Sequence, residues 1–250
     1  MRDAGKLLAV VPARGGSKRL PRKNVLLLEG RPLIAWTIEA ARASGVLDQV
    51  LVSTDDEEIA AVARQWGARV PWLRPAALAT DAATSAAVLQ HALAWYEAEH
   101  GAVSGVVLLQ PTSPFRSAVS IRGAVDSFLA QPEDGRHAVV SVSPAAQHPA
   151  WSFRLDGTTM LPFLGWDALQ QRSQDLAPAY ALNGAVYVLP AQTIREGAPL
   201  IQPGTRPFVM NDLGEALDID TEGDWQMAQQ MAQQMAQQVA QQVAQHTVAR

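Results

Sequence analysis

Residues 7–24 read LLAVVPARGGSKRLPRKN. The opening stretch, Leu7–Pro12, is a short apolar run met at once by a polar, basic, glycine-bearing segment, so it reads as a buried strand. The loop that follows leaves the C-terminal end of that strand, the edge at which open α/β sheets bind ligands. Arg14, Lys18, Arg19, Arg22 and Lys23 place five cations in ten residues, and two of the chain's three lysines are among them. Gly15 and Gly16 let backbone approach a ligand closely and turn N–H groups toward it, and Ser17 adds a hydroxyl donor. Cations so gathered suit a chain of phosphates. The loop matches neither GxxxxGK(S/T) nor GxGxxG, so it is neither a P-loop nor a dinucleotide fingerprint.

Outward from this loop, strand and helix alternate. Helical periodicity over Leu33–Ser44 stops at Gly45. QVLVS at 49–53 reads as a strand, and 56–66 as a helix with Asp56 as its N-cap and Asp55 in the preceding loop. A short strand is expected at 69–72, a helix at 84–99, a strand at 105–109, a helix at 117–130 and a strand at 138–142. This alternation predicts an α/β fold with a doubly wound, mainly parallel sheet. Residues 144–182 break the pattern, being rich in Pro, Gln and aromatics, and read as an inserted hairpin or lobe. Strands are expected again at 183–189, 208–210 and 216–219. No linker divides the first 225 residues.

The 250-residue chain carries a net charge of -4, with 18% charged and 48% hydrophobic residues and no cysteine. This is a globular composition. It argues against a nucleic-acid partner and excludes thiol, disulfide and iron–sulfur chemistry. The N-terminal apolar run is too short for a signal peptide or a membrane span, so a cytoplasmic protein is expected.

Asp218 and Asp220 sit two apart in LDIDTEGDW. On a strand such residues share a face about 6.5–7 Å apart, which suits two oxygen ligands of one Mg²⁺. The competing reading is a pair of solvated acids ahead of a helix, with Asp224 in its first turn. The five histidines show no metal spacing. From Trp225 the chain repeats MAQQ, later VAQQ, and reads as a helical tail over 226–250. A period of four makes the stripe at Met227, Met231, Met235, Val239 and Val243 wind by ~40° per repeat. The favoured reading of the tail has no catalytic role, with an oligomer contact as the alternative.

PARGGSKRLPRKN resembles the signature loop of the acylneuraminate (CMP-sialic acid) cytidylyltransferases. The likeness extends in order through STDDEEIA from Ser53, RPAALATDAATS from Arg74, LQPTSPFR from Leu109, LNGAVYV from Leu182 and DIDTEGDW from Asp218. The resemblance implies a Rossmann-like, nucleotide-diphospho-sugar transferase-like fold whose inserted lobe serves dimerisation. It implies CTP and a nonulosonic acid as substrates, Mg²⁺ as cofactor, and no membrane partner. Arg14, Gly15, Ser17 and Lys23 would hold the phosphates, Asn24 the ribose region, and Arg74 and Ser85 the cytosine. Asp218 and Asp220 would hold Mg²⁺, with Lys23, Arg14 and Asp220 the catalytic set. Gln110, Thr112, Ser113, Arg172, Tyr180 and Asn183 would face the sugar.

The implied reaction is attack of the sugar's anomeric hydroxyl on the α-phosphorus of CTP, releasing pyrophosphate. The resemblance also implies a homodimer whose lobes reach the partner's site. Members of the family often carry cations where this chain has Ser173 and Ala181, and some carry lysine at Trp151. The acceptor expected first is N-acylneuraminate (sialic acid), with legionaminic or pseudaminic acid as the alternative, GTP as a rival nucleotide and a non-catalytic nucleotide-binding assembly protein as the reading from another class.

Overall fold

The computed structural model of the chain describes residues 5–212 and 214–248, with side chains through 241 except that of 239. The strands are β1 (Leu7–Pro12), β2 (Leu27–Leu28), β3 (Arg31–Pro32), β4 (Gln49–Ser53), β5 (Gly105–Leu108), β6 (Val139–Pro144), β7 (Phe153–Asp156), β8 (Thr159–Pro162), β9 (Tyr180–Pro190) and β10 (Arg206–Val209). The helices are α1 (Leu33–Ser44), α2 (Glu57–Gln65), α3 (Ser85–His100), α4 (Ala118–Leu129), α5 (Ala191–Arg195) and α6 (Glu222–Val248).

Six strands form the central sheet in the order β10-β6-β9-β5-β1-β4. β1 runs parallel to β4 and β5, and β10 parallel to β6. Only β9 is antiparallel to its neighbours β5 and β6. Alternation along β1 explains the layers, because successive strand side chains point to opposite faces. Leu7, Ala9 and Val11 pack with Ile34 and Ile38 of α1, Ile59 of α2 and Phe128 of α4. Leu8 and Val10 pack on the other face with Leu89 and Leu93 of α3 and Ile194 of α5. Both faces of the strand are covered, as a doubly wound sheet requires.

The helix starts follow their caps. Asp56 accepts from the N–H groups of Glu58 and Ile59, Thr84 from Ala87, and Ser117 from Ser120. Gly45 ends α1 in the left-handed conformation at φ 69°.

Two expected strands are absent. Residues 69–72 make only an isolated bridge between Arg69 and Leu51. Residues 216–219 are turn and irregular chain, tied to the body by the Ile219 N–H donating to the Thr112 carbonyl at 2.8 Å. One backbone bond fixes that segment, so no ladder forms. The inserted region carries the β7–β8 hairpin and short 3₁₀ turns.

A third apolar cluster lies outside the sheet layers. Leu20 from the cationic loop, Phe115 from the turn after β5, Ile219 from the aspartate segment and Trp225, Ala228 and Ala232 of α6 bury together. One face of the first three turns of α6 is therefore core. Met227 and Met235 are exposed, and residues 233–238 all face solvent, in keeping with a stripe that winds away from the body. The side chains of Val239 and Val243 lie outside the described ones. Among the described residues no helix is long and apolar enough to cross a membrane.

Candidate active site

β1, β4 and β5 run parallel, so the segments that leave their C-terminal ends meet on one rim of the sheet. They enclose a cleft of about 560 Å³ that is lined by Arg14, Ser17, Lys23, Asn24, Arg74, Ser85, Thr112 and Asp220 among others. A second cleft of about 470 Å³ adjoins it, lined by Ser143, Ala181, Asn183, Tyr187 and Asp218. Gln110 lines both and marks their border.

The cationic loop turns through Arg22, which holds the left-handed conformation at φ 59° and opens the short helical turn Lys23–Val25. A non-glycine residue there costs of order 1 kcal/mol. The ion pair from Arg22 to Asp56 at 2.7 Å, with a second to Glu58, secures it. Lys23 is thereby driven inward and is only 9% exposed. Its Nζ donates to the Ile219 carbonyl at 2.6 Å and to Asp220 Oδ1 at 2.9 Å, while Arg19 reaches Asp220 Oδ2 at 2.6 Å. The loop and the aspartate segment, almost 200 residues apart in sequence, thus share one carboxylate.

The two aspartates differ in state. Partial burial would raise the Asp220 carboxyl, but the Lys23 hydrogen bond and the charges of Lys23 and Arg19 outweigh it and hold the group below the usual carboxylate value. At Asp218 desolvation of the carboxyl dominates and the charge of Asp220 adds to it, so its pKa is raised against weaker opposition from the Thr112 hydroxyl and Lys23. The pair does not sit on a strand. Ile219 between them points into the third cluster, and the two carboxylates line different clefts. Asp224 closes a capping box with Thr221, its carboxylate accepting from the Thr221 N–H at 2.8 Å and Thr221 Oγ1 accepting from the Asp224 N–H at 3.3 Å.

The remaining expected residues divide by what their polar atoms already do. Gly15 sits where its N–H donates to Asp55 Oδ1 at 3.0 Å, so that donor serves the fold and not a ligand. An added Cβ there would lie 2.8 Å from Asp56 Oδ2, which is why the position is glycine. Arg74 is buried, and desolvation lowers its pKa. Three of its five N–H donors go to Ser53 Oγ, the Ser53 carbonyl and the Leu78 carbonyl, and two remain for the cleft. Asn24 donates to the Arg14 carbonyl at 3.0 Å, while its Oδ1 is buried without a partner.

Four of the expected sugar contacts present no free polar group to either cleft within one chain. Asn183 spends its whole amide internally: Oδ1 accepts from Ser141 Oγ and the Ala185 N–H, and Nδ2 donates to Ser143 Oγ and Met210 Sδ. It shapes the cleft wall through its backbone neighbours. Ser113 is fully buried and lines neither cleft. Arg172 pairs with Asp175 one 3₁₀ turn away at 2.7 Å, out in the inserted region. Tyr180 likewise stands exposed, and neither Arg172 nor Tyr180 lines a cleft within one chain.

Sequence reasoning passed over Arg116. It is only 2% exposed, and its guanidinium donates to the Ala185 carbonyl, to Thr37 Oγ1 at 2.6 Å and to the Gln110 carbonyl at 3.0 Å. It ties the turn after β5 to β9 and α1. Burial lowers its pKa to about 9, opposed only by distant Glu215, so it is still a cation at neutral pH.

The family profile described as Cytidylyltransferase matches residues 8–242. The chain belongs to the cytidylyltransferase family. This cytidylyltransferase is therefore a nucleotidyltransferase. It is 41% identical to the CMP-N,N'-diacetyllegionaminic acid synthase of Legionella pneumophila, over 90% of this chain and 95% of that one. It is 34% identical to the pseudaminic acid cytidylyltransferase of Campylobacter jejuni, again over 90% of this chain and 95% of that one. The N-acylneuraminate cytidylyltransferase of Escherichia coli is 36% identical over 89% of this chain and 51% of its own length. Among solved structures, a CMP:2-keto-3-deoxy-manno-octonic acid synthetase complexed with CTP superposes with TM-score 0.69 at 17% identity, covering 93% of this chain and 99% of that one, a likeness of fold.

Proposed function

We propose that this cytidylyltransferase transfers CMP from CTP to the anomeric hydroxyl of a nonulosonic acid and releases pyrophosphate. The observation that carries the reading is the meeting of Lys23 with Asp220 at 2.9 Å beside a second cleft that shares Gln110. Arg14, Ser17 and Lys23 hold the phosphates. The partnerless Asn24 Oδ1 accepts from a ribose hydroxyl, and Arg74 with Ser85 at the start of α3 reads the base. The acceptor lies against Gln110 and Thr112, which line the cleft side by side with Asp220. Its anomeric oxygen bonds to the α-phosphorus while the bond to the pyrophosphate oxygen breaks. Most of the rate comes from orientation and from fixed positive charge.

Mg²⁺ fits this site. Asp218 and Asp220 are hard oxygen donors, and the raised Asp218 carboxyl gains from a cation. Among the described residues no third His, Asp or Glu joins a metal cluster. A two-carboxylate site completed by phosphate oxygens and water is the habit of Mg²⁺. Bound there, the ion would neutralise phosphate charge and acidify the attacking hydroxyl.

The acceptor we favour is a di-N-acylated acid of the legionaminate type over N-acetylneuraminate. The Legionella relative supports this, as does a cleft wall where Pro144, Ala146, Ala181 and Leu182 offer apolar surface and Asp218 is, among the described residues, the only charged one lining it. Pyrophosphate release measured for four nucleotides crossed with legionaminic, pseudaminic and N-acetylneuraminic acids tests the proposal. CTP with a nonulosonic acid should be the productive pair. Release with GTP alone, or with none of the acceptors, would refute it.

A homodimer in the cytoplasm is the form we propose. Its support is the inserted region, where Leu155, Phe163, Leu164 and Trp166 are all more than half exposed. Exposed apolar side chains gathered on one inserted region mark a contact surface. Sedimentation should give twice the chain mass, and the double variant Phe163→Glu, Trp166→Glu should sediment as a monomer. Unchanged sedimentation of that variant would contradict the lobe's assignment.

A further inference from the structure

Asp81 stands between the 3₁₀ turn Ala76–Leu78 and α3, on the wall of the larger cleft that faces the cationic loop. It does not cap α3, which Thr84 does. Its two oxygens instead divide two loop cations between them, with Oδ1 on Arg14 Nη1 at 2.6 Å and Oδ2 on Lys18 Nζ at 2.5 Å. Asp220, which also lines the cleft, treats Arg19 and Lys23 in the same way. Four cations are thus held by two carboxylates, one oxygen to each, in the manner of two phosphate groups.

The two carboxylates are not equivalent. Asp220 is fixed by the buried Lys23 and by Ile219 in the third apolar cluster. Asp81 is half exposed, and its neighbours Thr80 and Ala82 are exposed as well, so it can withdraw without unpacking the core. Exposed ion pairs are individually weak, so an incoming polyanion can displace them.

We propose that Asp81 is an internal competitor for the triphosphate's cations, and that it limits how strongly the cleft retains pyrophosphate and CTP alike; the inference rests on the nucleotide reading of this cleft. Both CTP and pyrophosphate must take Arg14 and Lys18 from Asp81. CTP adds contacts to its base at Arg74 and Ser85, and pyrophosphate has none to add. The carboxylate therefore weakens both by the same factor; pyrophosphate, with no base contacts to offset it, is left the weaker ligand, and Asp81 recaptures the two cations as it leaves.

The test is Asp81→Asn, which keeps the shape and removes the charge at an exposed position where folding is little affected. Calorimetric titration with pyrophosphate and with CTP reads binding independently of turnover. The variant should bind pyrophosphate roughly three- to tenfold tighter than the parent, the scale of one or two exposed ion pairs. Its inhibition constant for pyrophosphate should fall in step, and the difference should shrink at high salt as the competing pairs are screened. Unchanged or weaker pyrophosphate binding would overturn the inference and make Asp81 a positioning group for the loop. A parent enzyme that binds neither ligand would overturn the nucleotide reading itself, and this inference with it.

Discussion

Substituting Lys23→Ala should lower turnover by roughly 10²-fold or more, the loss seen when one preorganised charge contact is removed. Lys23 is buried, and two of its three donors are fixed on the Ile219 carbonyl and Asp220 Oδ1, which leaves the third for the cleft it lines. The side chain is therefore a cation held in place before the nucleotide arrives. Its removal also strips Asp220 of its closest buried partner, and the carboxyl would lose much of what holds its pKa down. Asp220→Ala should cost turnover on the same scale by deleting the other half of the contact. Pyrophosphate-release kinetics measure both variants, with a thermal melt to show that each is folded. Near-parental turnover in either would refute the roles given to the pair.

Arg116→Ala should be the most destabilising single change among these. It would orphan the Ala185 carbonyl and Thr37 Oγ1, leave the Gln110 carbonyl only the longer bond from the Ser113 N–H at 3.4 Å, and leave a void where a fully buried side chain had been. Unsatisfied buried groups cost about 1–3 kcal/mol each, and a cavity adds to that. A net loss of about 3–5 kcal/mol is expected, lowering the melting temperature by roughly 6–20 °C in a chain of this size. Because Gln110 borders both clefts, whatever variant survives should also turn over poorly. A melting temperature within about 2 °C of the parent would show that the clamp is dispensable.

The contrast between these residues shows where sequence reading ends. The strands at 7–12 and 49–53, and the α1 boundaries, are recoverable because apolar runs, a glycine stop and a strand-to-loop transition are local signals. Asp56 as a cap is local too. The cationic loop is visible as composition, and its partnership with Asp220 follows only by resemblance. What brings the two together is Leu20, Phe115, Ile219 and Trp225, four apolar residues from four separate segments that bury one another. Nothing in any one segment announces that contact.

The misplacements have the same origin. The segment 216–219 has strand-like composition but meets a single backbone acceptor at Thr112, so it stays irregular and the aspartates face two clefts. Asn183 looks like a sugar ligand in sequence, yet Ser141, Ser143, Ala185 and Met210 already occupy its amide. Gly15 looks like a phosphate donor, but Asp55 takes its N–H. Arg116 gives no sign of being buried. In each case the deciding partner is far along the chain, and only the fold supplies it.

The central claim is that the cationic loop and the aspartate pair embrace one metal-bound triphosphate. A crystal structure with CTP and Mg²⁺ tests it most directly. The phosphates should lie in the cleft against Arg14, Ser17 and Lys23, with the metal on Asp218 and Asp220 and the base near Arg74 and Ser85. Density for the nucleotide elsewhere, such as the cleft of about 650 Å³ between Lys6, Arg136 and Arg195, would contradict the account.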